Sequence, residues 1–397
     1  MNISRIKLIA IIAFIAVVFC SFTSFGADKL KEEKITPSLS SSLDHLISQV
    51  YPQGSAVAFD AKKIGHALDF LLSPKQSSTM YYPEEKFNST SVYYEFDINV
   101  SMKKLLEYAY NRDLPAYAFN PSSIRLSYWP SVTAEENKLP YFYDYLPNLN
   151  NPVVVKGVEY TEITPDFTTG AYYRYNDLRS LILLKYKGKN VFISISKQKD
   201  VSSASMKGLL LDDLNWDYIY SGIKGHTKFG LGWADSYMYD SCSIVIYYET
   251  DSKKPALRCG VFKWLRAGWK NMNMVKRSDI YGGIERYARD AKVTLENPLL
   301  PDFKDLKNNI AIINNLPLNT LREKTGKYLN VIRKKYNGND LISRKEFRDI
   351  FTGDKYVNQL GKREMEAMLI MDYIKNVLGK KSILSGSFIL HAGLTEG

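Results

Sequence analysis

The run LILLKYKGKNVFISIS, from Leu181 to Ser196, constrains the fold more tightly than any other part of the chain. Two stretches rich in β-branched and aliphatic residues flank Lys187-Gly188-Lys189, and so short a connection returns the chain as an antiparallel hairpin. In the second stretch Val191, Ile193 and Ile195 alternate with Phe192, Ser194 and Ser196. Successive strand side chains point to opposite faces, so one face here is wholly apolar and the other mixed.

The same period of two recurs on both sides of this hairpin. In SVYYEFDIN, Val92, Tyr94, Phe96 and Ile98 alternate with Tyr93, Glu95, Asp97 and Asn99. Further strands are expected at Ile124–Tyr128, Val153–Ile163, Tyr237–Glu249 and Leu257–Leu265, the last two as a hairpin across DSKKPA. The spacing changes to helical in two places. Ser101 caps a helix over Met102–Tyr110, and a longer helix from Ser278 and Asp279 to Lys292 aligns Ile280, Ile284, Tyr287, Ala288 and Ala291 on one side. A run of antiparallel strands, with one helix after the first and a long helix after the last, predicts an α+β domain over about residues 80–298. Its sheet would grip helices on one face. In architecture this order resembles a helix-grip lipid-binding domain.

The flanking segments differ in kind. MNISRIKLIAIIAFIAVVFCSFTSFG carries Arg5 and Lys7, an apolar core from Leu8 to Phe19, and Ser24-Phe25-Gly26 as a small-x-small site. This is the layout of a signal peptide over residues 1–26, so export to the periplasm or cell envelope is expected, with no transmembrane helix in the mature chain. Residues 27–79 form a helical lead-in, with Ile64, Ala67, Leu68, Leu71 and Leu72 at helical spacing. Asn297-Pro298-Leu-Leu-Pro301 breaks the pattern, and residues 302–397 read as a basic, all-helical region. From Pro301 onward there are 17 Lys/Arg against 11 Asp/Glu, which is most of the excess behind the net charge of +11. In an exported protein that excess points to an anionic membrane or glycan surface rather than nucleic acid. YNGNDLISRKEF resembles the back half of an EF-hand loop, but Lys335 and Asp340 stand where a ligand and a glycine are needed. Ser343 to Glu346 is explained as a helix capping box.

The residue types that catalysis uses gather in DYIYSGIKGHTKFGLGWADSYMYDS, Asp217 to Ser241. Ser221 is not in a G-x-S-x-G elbow, His226 has no second histidine at metal-binding spacing, and the glycines fit neither phosphate-binding fingerprint. No catalytic residue, metal or cofactor is therefore assigned. What remains is an aromatic surface for an amphipathic ligand, lipid or glycan, formed by Trp216, Tyr218, Tyr220, His226, Trp233, Asp235, Tyr237 and Tyr239. The alternatives are a hydrolase using His226 with Asp235 or Asp240, and a structural or assembly partner in the envelope. In the strand from Tyr237, Met238, Cys242, Ile244, Ile246 and Tyr248 read as the core face. Cys259 is expected in the same core, so Cys242 and Cys259 are the candidate disulfide.

Overall fold

A computed structural model describes residues 30–52, 58–76, 78–167, 169–225, 235–251, 256–339, 342, 347, 350 and 355–390. The signal-peptide segment and the Ser343–Glu346 capping box lie outside the described residues. In chain order the strands are β1 (Lys31–Lys34), β2 (Thr79–Tyr82), β3 (Thr90–Ile98), β4 (Ile124–Val132), β5 (Val153–Ile163), β6 (Ala171–Tyr172), β7 (Arg174–Tyr186), β8 (Lys189–Gln198), β9 (Met206–Asp212), β10 (Asp217–Lys224), β11 (Tyr237–Asp251) and β12 (Ala256–Gly268). The helices are α1 (Ser40–Ser48), α2 (Gly65–Leu72), α3 (Met102–Tyr108), α4 (Arg277–Leu295), α5 (Phe303–Asn314), α6 (Leu318–Lys335), α7 (Lys355–Gln359), α8 (Lys362–Val377) and α9 (Gly386–Leu390). Among the described residues, no helix is long and apolar enough to cross a membrane.

The class is α+β. Seven strands form one antiparallel sheet in the order β3-β12-β11-β8-β7-β5-β4, so the first strand of the set lies beside the last. The helix α3 follows the first strand, its Ser101 hydroxyl accepting from the Lys104 amide at 3.1 Å. The long α4 follows the last, and the Asp279 carboxylate accepts from the Lys276 amide at 3.0 Å to close its first turn.

Helices cover both faces of this sheet, not one as the sequence order implied. On one face Leu43, Leu46, Leu68 and Leu71 of α1 and α2 pack on Ile182, Ile193, Ile195, Ile244, Phe262 and Trp264. The lead-in is thus an integral layer, because the central strands are too apolar on that side to face water. The other face meets Ile280 and Ile284 of α4, in one continuous core with Tyr328, Leu329, Ile370 and Ile374 of the C-terminal helices. Asn297–Pro301 therefore links two helices, α4 and α5, within a shared core. The helices α6 to α8 pack against a second sheet of order β10-β9-β6, whose strand β9 the sequence pattern had not revealed.

The β11–β12 register corrects the expectation about the cysteines. Residues directly opposite each other in a ladder share a face, and Cys242 lies opposite Trp264 while Cys259 lies opposite Tyr247. Tyr247 is an odd number of residues from Cys242, so the two thiols occupy opposite faces of the sheet, buried and free. Burial pushes Cys242 up to about 12 and Cys259 up as well. Cys242 and Cys259 should therefore both react with a titrant in denatured, unreduced protein and neither in the folded protein; failure of both to react after denaturation would contradict this register. A bulge between Met238 and Asp240 makes a second correction. It reverses the alternation at the start of β11 and turns Met238 away from the Cys242 face, toward Tyr173 and Leu265.

Candidate functional site

Between the seven-stranded sheet and α4 lies a cavity of about 720 Å³, within the range of small-molecule sites. Its roof is the stripe Ile280, Gly283, Ile284 and Tyr287, the i, i+3, i+4 and i+7 positions of one helix face. Its floor is the mixed face of the central strands: Glu159 on β5, Asp177 and Arg179 on β7, Ser194 on β8, Ser243 on β11 and Lys263 on β12. Val245, Val261 and Leu265 line apolar parts of the same face.

The ionisable groups of the floor are arranged unevenly. Arg179 donates to the Ser194 hydroxyl at 2.9 Å and sits 3.3 Å from the Glu159 carboxylate. Lys263 donates to the Ser241 and Ser243 hydroxyls at 2.7 and 2.8 Å. Asp177 lies directly opposite both Glu159 and Gln198 in the ladder, is 6% exposed, and keeps its Oδ1 without a hydrogen-bond partner among the described residues. The neighbouring Gln198 Oε1 is likewise buried and unpartnered, its amide having donated to the carbonyls of Asp200 and Met238. Burial lifts the Asp177 carboxyl from 3.8 to about 7, with Arg179 opposing and Glu159 reinforcing the shift. Burial also lowers the Lys263 ammonium, which Asp177 partly offsets. At one end, Tyr110, Tyr247 and Tyr287 join hydroxyls in a chain, Tyr110 to Tyr247 at 3.0 Å.

The roof is unusual where it crosses the cavity. Gly282 and Gly283 sit inside α4, and a Cβ added at either would meet nothing within 4 Å. Neither close packing nor a turn calls for glycine there, and each costs the helix about 1 kcal/mol relative to alanine. At Gly283 the consequence is open volume above the floor.

Of the aromatic surface expected from the sequence, the described members Trp216, Tyr218, Tyr220, Tyr237 and Tyr239 do not line this cavity. Trp216, Tyr218 and Tyr220 are buried and form packing rather than a contact surface. The Lys380 ammonium lies 4.1 Å over the Trp216 ring, Tyr218 donates to Asp213 at 2.8 Å, and Tyr220 stacks 4.1 Å from the Arg125 guanidinium. Asp213 in turn binds Arg286 and Arg289 of α4, at 2.5 and 2.9 Å. Asp235 is exposed, and Tyr237 and Tyr239 are half-buried with ring centres 6.2 Å apart. Asp240 pairs with Lys197 at 2.8 Å. His226 and Trp233 lie outside the described residues, so the hydrolase alternative has no described geometry. Among the described residues, no group of His, Cys, Asp and Glu is arranged to hold a metal.

No protein-family model matches this chain, and no curated protein matches it either. The site therefore stands on its own geometry.

Proposed function

We propose that the protein is an exported, non-catalytic binding protein whose ligand is an amphipathic small molecule, held between the sheet and α4. The observation that carries the reading is Asp177 Oδ1, a buried acceptor without a partner among the described residues, in a cavity whose roof is kept open by glycine. Burying a polar group unpaired costs free energy, and a bound donor removes that cost. Apolar Val245, Val261 and Ile284 beside charged Asp177, Arg179 and Lys263 suit a ligand with both hydrocarbon and polar parts. Export rests on the N-terminal pattern of charge, apolar core and small residues.

Native mass spectrometry of protein purified from its source cells, followed by denaturation, tests for a retained small molecule. Binding of dansyl-labelled fatty amine and fatty acid probes gives an affinity. Gly283→Leu should fill the roof gap and weaken probe binding by at least about ten-fold, while leaving the fold intact by circular dichroism. Unchanged binding in that variant would remove the cavity from consideration.

A second reading has one observation in its favour. A carboxyl held near neutrality by burial, in a cavity whose floor also carries Lys263, is a feature of acid–base sites. Turnover of the retained molecule by the native protein, abolished in Asp177→Asn, would replace binding with catalysis.

A further inference from the structure

The connection from β12 to α4 carries its apolar side chains outward. Trp269, Met272 and Met274 are 41%, 52% and 40% exposed, and the Lys270 ammonium lies 4.6 Å over the Trp269 ring. This exposure is built into the loop. The Met272 amide donates to Trp269 O at 3.0 Å and the Met274 amide to Ala267 O at 2.9 Å. The Asn271 amide donates to the Tyr239 hydroxyl at 2.7 Å, and Arg266 donates to Asn271 O at 2.9 Å. Lys270 and Asn271 are held at φ of +49° and +62°, in the left-handed region. A loop fixed in this way keeps large apolar side chains in water.

Its position and charge narrow what it meets. The loop joins Leu265 of β12 to Asp279 and Ile280 of α4, all three of which line the cavity, so it forms part of the rim. Phe167, 70% exposed beyond β5, and Val201, 56% exposed beyond β8, belong to loops at the same end of the sheet. Residues 266 to 278 contain four basic residues and no acidic one, and Lys270 and Lys276 among them are exposed. Tryptophan and methionine flanked by exposed lysines match the interface of an anionic bilayer, where rings and thioethers enter the headgroup region and ammonium groups meet phosphates.

We propose that this rim docks on an anionic lipid surface through Trp269, Met272 and Met274, with Lys270 and Lys276 toward the headgroups. The ligand then passes between bilayer and cavity across the rim, a step that rests on the binding reading above. The test uses the full chain with vesicles of phosphatidylcholine containing about one-third phosphatidylglycerol, with brominated acyl chains as quencher. Tryptophan emission should be quenched on binding, and the quenched component should be absent in Trp269→Phe. Lys270→Glu with Lys276→Glu should weaken vesicle binding on the order of ten-fold at low salt. Quenching that persists in Trp269→Phe, or vesicle affinity unchanged by the two glutamates, would overturn the docking surface. Probe binding in solution separates the two readings. Retained probe binding without Trp269 quenching defeats docking alone, whereas quenching without any probe binding defeats the cavity reading alone.

Discussion

Alanine at position 217 is expected to lower the unfolding free energy by about 3–5 kcal/mol, the usual cost of leaving a buried charge without its partner. Asp217 is fully buried at the start of β10, and three groups from the C-terminal helices converge on it. Lys375 of α8 pairs with one carboxylate oxygen; Lys335 of α6, at 2.6 Å, and the Tyr336 hydroxyl reach the other. Lys375 is itself buried, so removing the aspartate leaves its ammonium with only the more distant Asp372 carboxylate, at 3.7 Å. Lys375→Met alone should be similarly costly, and combining it with Asp217→Ala should recover part of the loss, because neither charge then remains unpaired. Urea denaturation at neutral pH measures all three; a loss below about 1 kcal/mol in Asp217→Ala would mean that the pair contributes no more than an exposed one. Burial by itself would raise the Asp217 carboxyl, but Lys375 and Lys335 outweigh it and hold the group below 3.8. This contribution is therefore present above about pH 4 and is lost as the pH falls through the lower folded value.

The opposite sign is expected at Asp177. Its carboxyl sits near 7 in the folded protein against an ordinary 3.8, so the folded state binds the proton more tightly than the unfolded one. Stability from this group is complete below about pH 3.8 and declines as the pH rises to about 7. Above that the ionised, unpaired carboxylate costs up to about 4 kcal/mol. Asp177→Asn keeps the shape without the charge. Its melting temperature should exceed that of the native protein at pH 8 and converge with it near pH 4, and equal shifts at both values would contradict the assignment. Probe binding should weaken in the same variant. A residue whose replacement stabilises the protein while impairing ligand binding is one retained at a cost in stability.

Much of the framework was legible because it depends on local spacing. The alternation in Val191–Ser196 gives both faces of β8, the glycine turn gives its hairpin, and the stripe from Ile280 to Ala291 gives α4. The cysteines and Met238 were misplaced for a different reason. A one-residue choice of register or a single bulge exchanges the faces of a strand, and neither leaves a signature in spacing. The cavity floor was hidden by the ordinary meaning of charge. Asp177 and Arg179 alternate with Leu178 and Ser180, which reads as a solvated edge until β7 is known to lie inside the sheet. Charged residues two apart in the strand following Tyr175 were the available signal. Asp217 stood in plain view, but its charged partners lie more than a hundred residues away, and no local pattern announces them.

The shared core has a consequence for how such a chain can change over time. Asn297-Pro298-Leu-Leu-Pro301 looks like a place where one module ends and another could be exchanged. Yet the aspartate on β10 and the lysines that neutralise it lie on opposite sides of that point, as do Trp216 and the Lys380 that covers it. A swap at this junction would part each group from its complement. The last quarter of the chain is thus bound to inherit together with the sheet, and its basic excess serves in part as the inward-facing counter-charge of the molecule it belongs to.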